Sequence, residues 1–144
     1  MRITVGSDHA ALELKAAVIA HLQSKGHDVT DVGTHTTASC DYPVFAQAVA
    51  KSVASGDAER GVLLCGTGQG MAMAANKIPG VRAAVVNEPF SARAATEHND
   101  AKILCLGARV VGVGVALMCV DAWLGVEFAG GRHASRVALL EGGK

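Results

Sequence analysis

An excess of charge of either sign is missing from this chain: thirteen Lys and Arg are matched by thirteen Asp and Glu, for a formal net charge of zero. No global field therefore draws it onto nucleic acid or an anionic membrane, and any anion must be held locally. Long apolar runs are also missing. No segment approaches the roughly 20 apolar residues that span a bilayer, and the opening MRITVGSDHA lacks the apolar region of a signal peptide. The expectation is a cytoplasmic protein with neither a membrane nor a nucleic-acid partner. Cys40, Cys65, Cys105 and Cys119 form no CxxC pair, and the six histidines show no HxH or HxxxH spacing. Neither a disulfide framework nor a structural zinc site is supported, and the thiols are expected to be free.

Aromatic rings are scarce, with three Phe, one Tyr and one Trp among 144 residues, although half of the chain is hydrophobic. The core must then be mostly Ala, Val and Leu, which suits closely packed helices and parallel strands. Strand and helix signals alternate. ITV leads through GSDH into a helix with Leu12, Ala16, Ile19 and Leu22 on one face, stopped by Gly26. HDVTDVG reads as a strand and DYPVFAQAVAKSVASG as a helix with Pro43 in its first turn. GVLLC precedes a glycine loop and a short helix around MAMAANK. VRAAVV with EPFSARAATEHN, and AKILCLG with GVGVALMCVDAWLG, complete five strand–helix pairs, and HASRVALLEGG is a last helix beyond them. No linker or low-complexity segment interrupts the pattern, so residues 1–144 are expected to form one domain.

Near-continuous apolar strands joined through helices call for a parallel sheet covered on both faces. The fold class is therefore α/β, a Rossmann-like three-layer α/β/α sandwich with a five-stranded parallel sheet. Ligands of such sheets bind beyond the carboxyl ends of the strands, near the point where strand order reverses. SDH, CGTGQG and NEP lie at three of those ends.

The loop GTGQG follows a strand and opens a helix, so its amides can face a ligand oxygen and its missing side chains admit one. It is neither GxGxxG nor a GK[ST] phosphate loop, and a glycine turn made only for packing would look the same. Cys65 sits at the strand end, where helix-terminal dipoles favour a thiolate. Cys105 and Cys119 lie within apolar runs and read as core residues. Asp8 and His9, on the first loop, fit either neighbours of Cys65 in the cleft or a capping acid beside a surface imidazole. Arg132 and Arg136, four apart, share a helix face suited to a phosphate or to solvent.

The blocks GSDHAALELK, DYPVFA, CGTGQGMAMAANK, GVRAAVVNEPFSARAATEHND, GARVVG and GGRHASR span almost the whole chain in this order. In them the sequence resembles the ribose-5-phosphate isomerase type B family, whose wider membership includes galactose-6-phosphate and allose-6-phosphate isomerases. The resemblance implies an aldose–ketose isomerase that needs no metal and no cofactor and moves a proton between C1 and C2 through an enediolate. It implies Cys65 as the base and Gly66, Thr67, Gly68, Gln69 and Gly70 as the oxyanion cradle, with Gln69 contributing through its backbone. His98 would be the acid that opens the sugar ring. Asp8, His9 and Asn99 would contact the sugar, Arg109, Arg132 and Arg136 the substrate and its phosphate, and Tyr42 would border the sugar or simply pack beside Pro43. One branch of the family has a glutamate directly after the loop; here Met71 stands there and cannot take a proton. The resemblance further implies a homodimer, with a tetramer left open, in which the tail 130–144 of one subunit reaches the other's site. A six-carbon sugar phosphate as substrate, and a non-catalytic sugar-phosphate binding module, are the competing readings.

Overall fold

A computed structural model describes residues 1–142; the last two residues of the 130–144 tail lie outside it. The chain runs β1 (Arg2–Ser7), α1 (Leu12–Ser24), β2 (Asp28–Asp31), α2 (Tyr42–Ser55), β3 (Arg60–Cys65), α3 (Gln69–Ala75), β4 (Ala83–Val85), α4 (Pro89–Asn99), β5 (Ile103–Gly107), α5 (Val113–Leu124) and α6 (Arg132–Leu140), with a single 3₁₀ turn at His9–Ala11 before α1. The strands form one parallel sheet in the order β2-β1-β3-β5-β4. The expected α/β/α architecture and its five parallel strands are present.

Strand periodicity sends alternate side chains into the two helical layers. Ile3, Val5, Val62, Leu64, Leu104 and Leu106 bury one face of the sheet against Leu14, Val18 and Leu22 of α1, Ala92 of α4, and Ala116, Val120 and Trp123 of α5. On the other face Leu63, Cys65, Ile103 and Cys105 meet Ala46, Val49 and Ala50 of α2 and Met71, Ala72 and Ala75 of α3. Alanine-faced helices lie close to the sheet, which is why few rings are needed. The one large ring in the core, Trp123, is fully buried; its indole donates to the Ala101 carbonyl at 2.8 Å, and Thr96 Oγ1 donates to the Trp123 carbonyl at 2.8 Å. Trp123→Ala should cost about 3–5 kcal/mol of stability by urea denaturation. A loss below about 1 kcal/mol would mean that this face repacks around the gap.

Pro43 and Pro89 occupy the first turns of α2 and α4, where a missing N–H costs nothing. β4 is only three residues long and forms an edge of the sheet. Among the described residues no helix is long and apolar enough to cross a membrane.

Candidate active site

The connection from β1 leads to β2 on one side and that from β3 leads to β4 on the other, so strand order reverses between β1 and β3. That switch point brings the loops after Ser7 and Cys65 side by side. Ser7 is in register with Leu64, and the Asp8 amide donates to the Leu64 carbonyl at 3.2 Å. Asp8 is buried and caps the 3₁₀ turn, its Oδ1 accepting the Ala10 amide at 2.9 Å. The capping alternative thus holds for one of its oxygens, in a residue that also lies at the switch point. His9 Nδ1 accepts the Cys40 amide at 3.3 Å, which joins the segment before α2 to this loop.

Cys65 is 5% exposed, at the last position of β3. Its sulfur is not left among aliphatic groups alone: the Gly68 amide donates to Sγ at 3.1 Å. The loop curls back on the sulfur because Gly68 has φ +80°, a conformation that L side chains rarely adopt. A Cβ at that position would also lie 3.1 Å from the Leu106 backbone. α3 starts directly at Gln69, so the helix opens inside the loop and its first amides have no intrahelical acceptor. Thr67 and Gln69 are exposed, and Thr67 Oγ1 accepts the Gln69 amide at 3.4 Å.

Two further predicted residues close on this loop. The Tyr42 ring lies against Gly70, where a Cβ would meet Cζ at 2.5 Å, so glycine is what lets the ring approach. The Arg109 guanidinium lies over Gly66, its Nη1 3.4 Å from the Cβ position, and the Arg109 amide donates to the Gly66 carbonyl at 3.0 Å. Asp8, His9, Tyr42, Cys65, Gly66–Gly70 and Arg109 therefore gather at the carboxyl end of the sheet.

His98, Asn99, Arg132 and Arg136 do not join them. A helix that returns the chain from β4 to β5 runs antiparallel to both, so α4 ends beside the amino ends of the strands. Arg82, just before β4, donates through Nε to the Asn99 carbonyl at 2.9 Å, and the Gly61 amide donates to the Lys102 carbonyl at 2.9 Å. The six residues of β3 separate that end from Cys65 by roughly 17 Å. There His98 stacks on His133 with ring centroids 4.4 Å apart and planes 5° from parallel. Arg132 and Arg136 flank His133 on α6, which the Arg82–Glu141 ion pair of 2.6 Å also fastens. Partial desolvation pushes His133 below the usual imidazole range, and the nearby charges of His98, Arg132 and Arg136 push the same way against Glu97. This second cluster is electropositive, as a phosphate site requires.

Of the three polar clusters at strand ends, NEP serves structure: Glu88 caps α4 by accepting the Phe90 amide at 2.6 Å and the Ser91 amide at 2.7 Å. It also follows the edge strand, away from the switch point. Cys105 and Cys119 are fully buried, and desolvation raises both thiols above the ordinary range, with Cys65 adding to the effect on Cys105 and Glu88 to that on Cys119. Both are core residues, as their apolar runs suggest. Among the described residues no group of three or more His, Cys, Asp or Glu converges to hold a metal ion. Sequence reasoning gave no role to Cys40 beside His9 or to His133 beside His98; the first has no spacing signal, whereas the second stands in GRHASR next to Arg132.

A Rossmann-like domain with a thiol in a glycine loop at its switch point, and a separate cationic cluster, belongs among small-molecule enzymes of the α/β class. The ribose/galactose isomerase family model matches residues 3–140, and the chain belongs to that family. It is 48% identical over 139 residues to ribose-5-phosphate isomerase B of Escherichia coli, covering 96% of this chain and 93% of that protein. The ribose-5-phosphate isomerase B structure of Clostridium thermocellum superposes with a TM-score of 0.97 at 51% identity, covering 99% of this chain and 96% of that one. That of Mycoplasma genitalium, with bound ribulose-5-phosphate, gives 0.93 at 41% identity over 97% and 93% of the two chains.

Proposed function

We propose that this protein interconverts ribose 5-phosphate and ribulose 5-phosphate. The observation that carries the reading is the Cys65 sulfur, held by the Gly68 amide at the mouth of a glycine loop. The Cys65 thiolate takes the proton from C2 of the open-chain aldose, and the electron pair moves to the carbonyl oxygen to give an enediolate. The loop amides other than those of Gly68 and Gln69, which donate to Cys65 Sγ and Thr67 Oγ1, face the oxygen that becomes negative, with the Thr67 hydroxyl. The proton returns at C1 as the C2 hydroxyl passes its proton to O1, leaving the C2 carbonyl of the ketose. Preorganised donors of this kind are typically worth about two to three orders of magnitude each. Asp8, His9 and Tyr42 border the sugar, and Arg109 over Gly66 helps to hold the substrate.

One chain alone leaves this site without its acid and its phosphate grip, so the proposal includes a homodimer. His98, Asn99, Arg132 and Arg136 of a second copy meet Cys65 of the first, and a two-fold axis makes the exchange reciprocal. Support comes from a groove of about 820 Å³ beside the edge strand β4, between the end of α3 and α4. Asn99 and Leu140 line it, as does Phe90, which is 77% exposed. An apolar ring left in water beside a groove of this size marks a surface that a partner covers. The tail 130–144 then reaches the partner through the arginines of α6. The same reading makes this a cytoplasmic enzyme of carbohydrate metabolism in the pentose phosphate pathway.

His98 of the second copy passes a proton to the ring oxygen of the closed aldose. His98→Asn should slow turnover of ribose 5-phosphate by about a hundredfold. Exchange of solvent deuterium into ribulose 5-phosphate, whose phosphorylated C5 oxygen keeps it open, should stay within a few-fold of the wild type. Equal losses in both would remove the ring-opening role. Substrate choice is tested by kcat/KM for ribose 5-phosphate, allose 6-phosphate and galactose 6-phosphate in one buffer. Ribose 5-phosphate should lead, and a six-carbon substrate ahead of it would overturn the assignment.

A further inference from the structure

The two imidazole nitrogens of His9 are not equivalent in this fold. An amide nitrogen can only donate, so the Cys40 N–H at 3.3 Å requires a lone pair on His9 Nδ1. Cys40 Sγ lies 3.7 Å from the same nitrogen and competes for the same lone pair. In the neutral ring the proton must then be on Nε2, across the ring from Cys40. We propose that the Cys40 backbone amide locks His9 as its Nε2–H tautomer, so that His9 meets the bound sugar phosphate as a hydrogen-bond donor and Cys40 acts as a positioning residue. The proposal rests on the isomerase reading for the identity of the acceptor and on the geometry alone for the tautomer.

The surroundings of Cys40 make this contact more than a chance approach. Residues 32–41 have no regular secondary structure, and 35–39 are exposed. The near end of the segment is fixed: the buried Lys15 ammonium donates to the Thr34 carbonyl at 2.6 Å and pairs with Asp31 at 2.9 Å, and the Thr34 amide donates to the Ser7 carbonyl at 3.0 Å. The far end is held by Cys40 on His9 and, two residues on, by Tyr42 against Gly70. One short stretch thus spans the loop after β1 and the loop after β3, the two halves of the switch point. The amide that fixes the His9 tautomer also sets where Tyr42 enters the cleft. The side chain of Cys40 is secondary, since any residue but proline supplies the amide.

Long-range ¹H–¹⁵N correlation of the histidine rings in the intact enzyme at pH 8, with His9 assigned by its loss in His9→Gln, tests the lock without reference to activity. The expected pattern is a single neutral ring protonated on Nε2; a ring protonated on Nδ1, or an exchanging mixture, overturns the proposal. Cys40→Ala should keep that pattern, with KM for ribose 5-phosphate within about twofold. A shift in the pattern on that change would show the thiol, not the amide, to be the donor. Cys40→Pro, which lacks the amide proton, should mix the tautomers and raise KM about tenfold with kcat little changed. Independently of whether that variant folds, His9→Gln, whose amide reaches the Nε2 position, should bind substrate about tenfold better than His9→Asn, whose amide sits at the Nδ1 position. The reverse order overturns the donor role, whereas a wild type inactive on every sugar phosphate but with the expected ring pattern would sink only the isomerase reading.

Discussion

Cys65→Ala should lower kcat by at least about a thousandfold while leaving the dissociation constant of ribulose 5-phosphate within a few-fold of the wild type. A carbon acid beside a carbonyl surrenders its proton only to a base placed within reach, and a positioned base typically contributes about two to four orders of magnitude. No carboxylate in the loop can substitute, because Met71 stands where one branch of the family has glutamate. The fold itself should survive. The sulfur is small, and its loss leaves one buried donor, the Gly68 amide, without its partner, a cost of about 1–3 kcal/mol that a domain of this size can bear. Binding should survive as well, since the groups proposed to grip the substrate are Asp8, His9 and Arg109 of the same chain and the cationic cluster of the other. Loss confined to kcat is the signature of an interaction made only in the transition state. A variant that kept near-native kcat would remove the thiol from the mechanism, and one that lost binding to the same extent would make Cys65 a structural residue.

The second large effect is a gain. Mixing the inactive Cys65→Ala enzyme with the His98→Asn enzyme, slowed about a hundredfold on ribose 5-phosphate, should with subunit exchange verified restore about a quarter of wild-type activity on that substrate. Half of the randomly mixed dimers are heterodimers. In each of these one site carries both defects, while the other combines an intact Cys65 with an intact His98. Arg132→Ala should complement Cys65→Ala in the same way, because Arg132 lies with His98 at the amino end of the sheet. His98→Asn and Arg132→Ala should not complement each other. They lie in the same cluster on the same chain, so every site in their heterodimer keeps one defect. Failure of the first pair after confirmed exchange would mean that the two halves of the site are not shared between copies.

Much of this architecture was legible in the sequence because the signals are local. Five apolar strands, each followed by a helix, permit little besides a parallel sheet with two covered faces. Pro43 and Pro89 marked the first turns of their helices, and Gly68, in the left-handed region, fits the loop that no other residue would serve as well. The position of Cys65 at a strand end followed from the length of GVLLC alone. What the sequence left open was which elements are neighbours. The strand order, with β5 between β3 and β4, is set by packing across the whole domain, and it moved NEP to an edge where Glu88 only caps a helix. His98 is the instructive case. It comes late in the helix after the fourth strand, and a helix returning to the start of the next strand must carry its last residues away from the carboxyl ends. That argument needs only the alternation of elements, and it separates His98 and Asn99 from Cys65 and groups them with the tail arginines. The contact of Cys40 with His9 had no comparable signal: it depends on the course of an irregular segment that periodicity does not describe.

The most direct measurement of the central claim is the transfer of hydrogen at carbon, followed by NMR in deuterated buffer with ribulose 5-phosphate bound to the wild type and to Cys65→Ala. The wild type should replace hydrogen at C1 with deuterium as it turns over, and Cys65→Ala, saturated with the same ligand, should replace none on the same time scale. Exchange by the alanine variant at a rate near that of the wild type would contradict the account, because some other group would then be removing the proton.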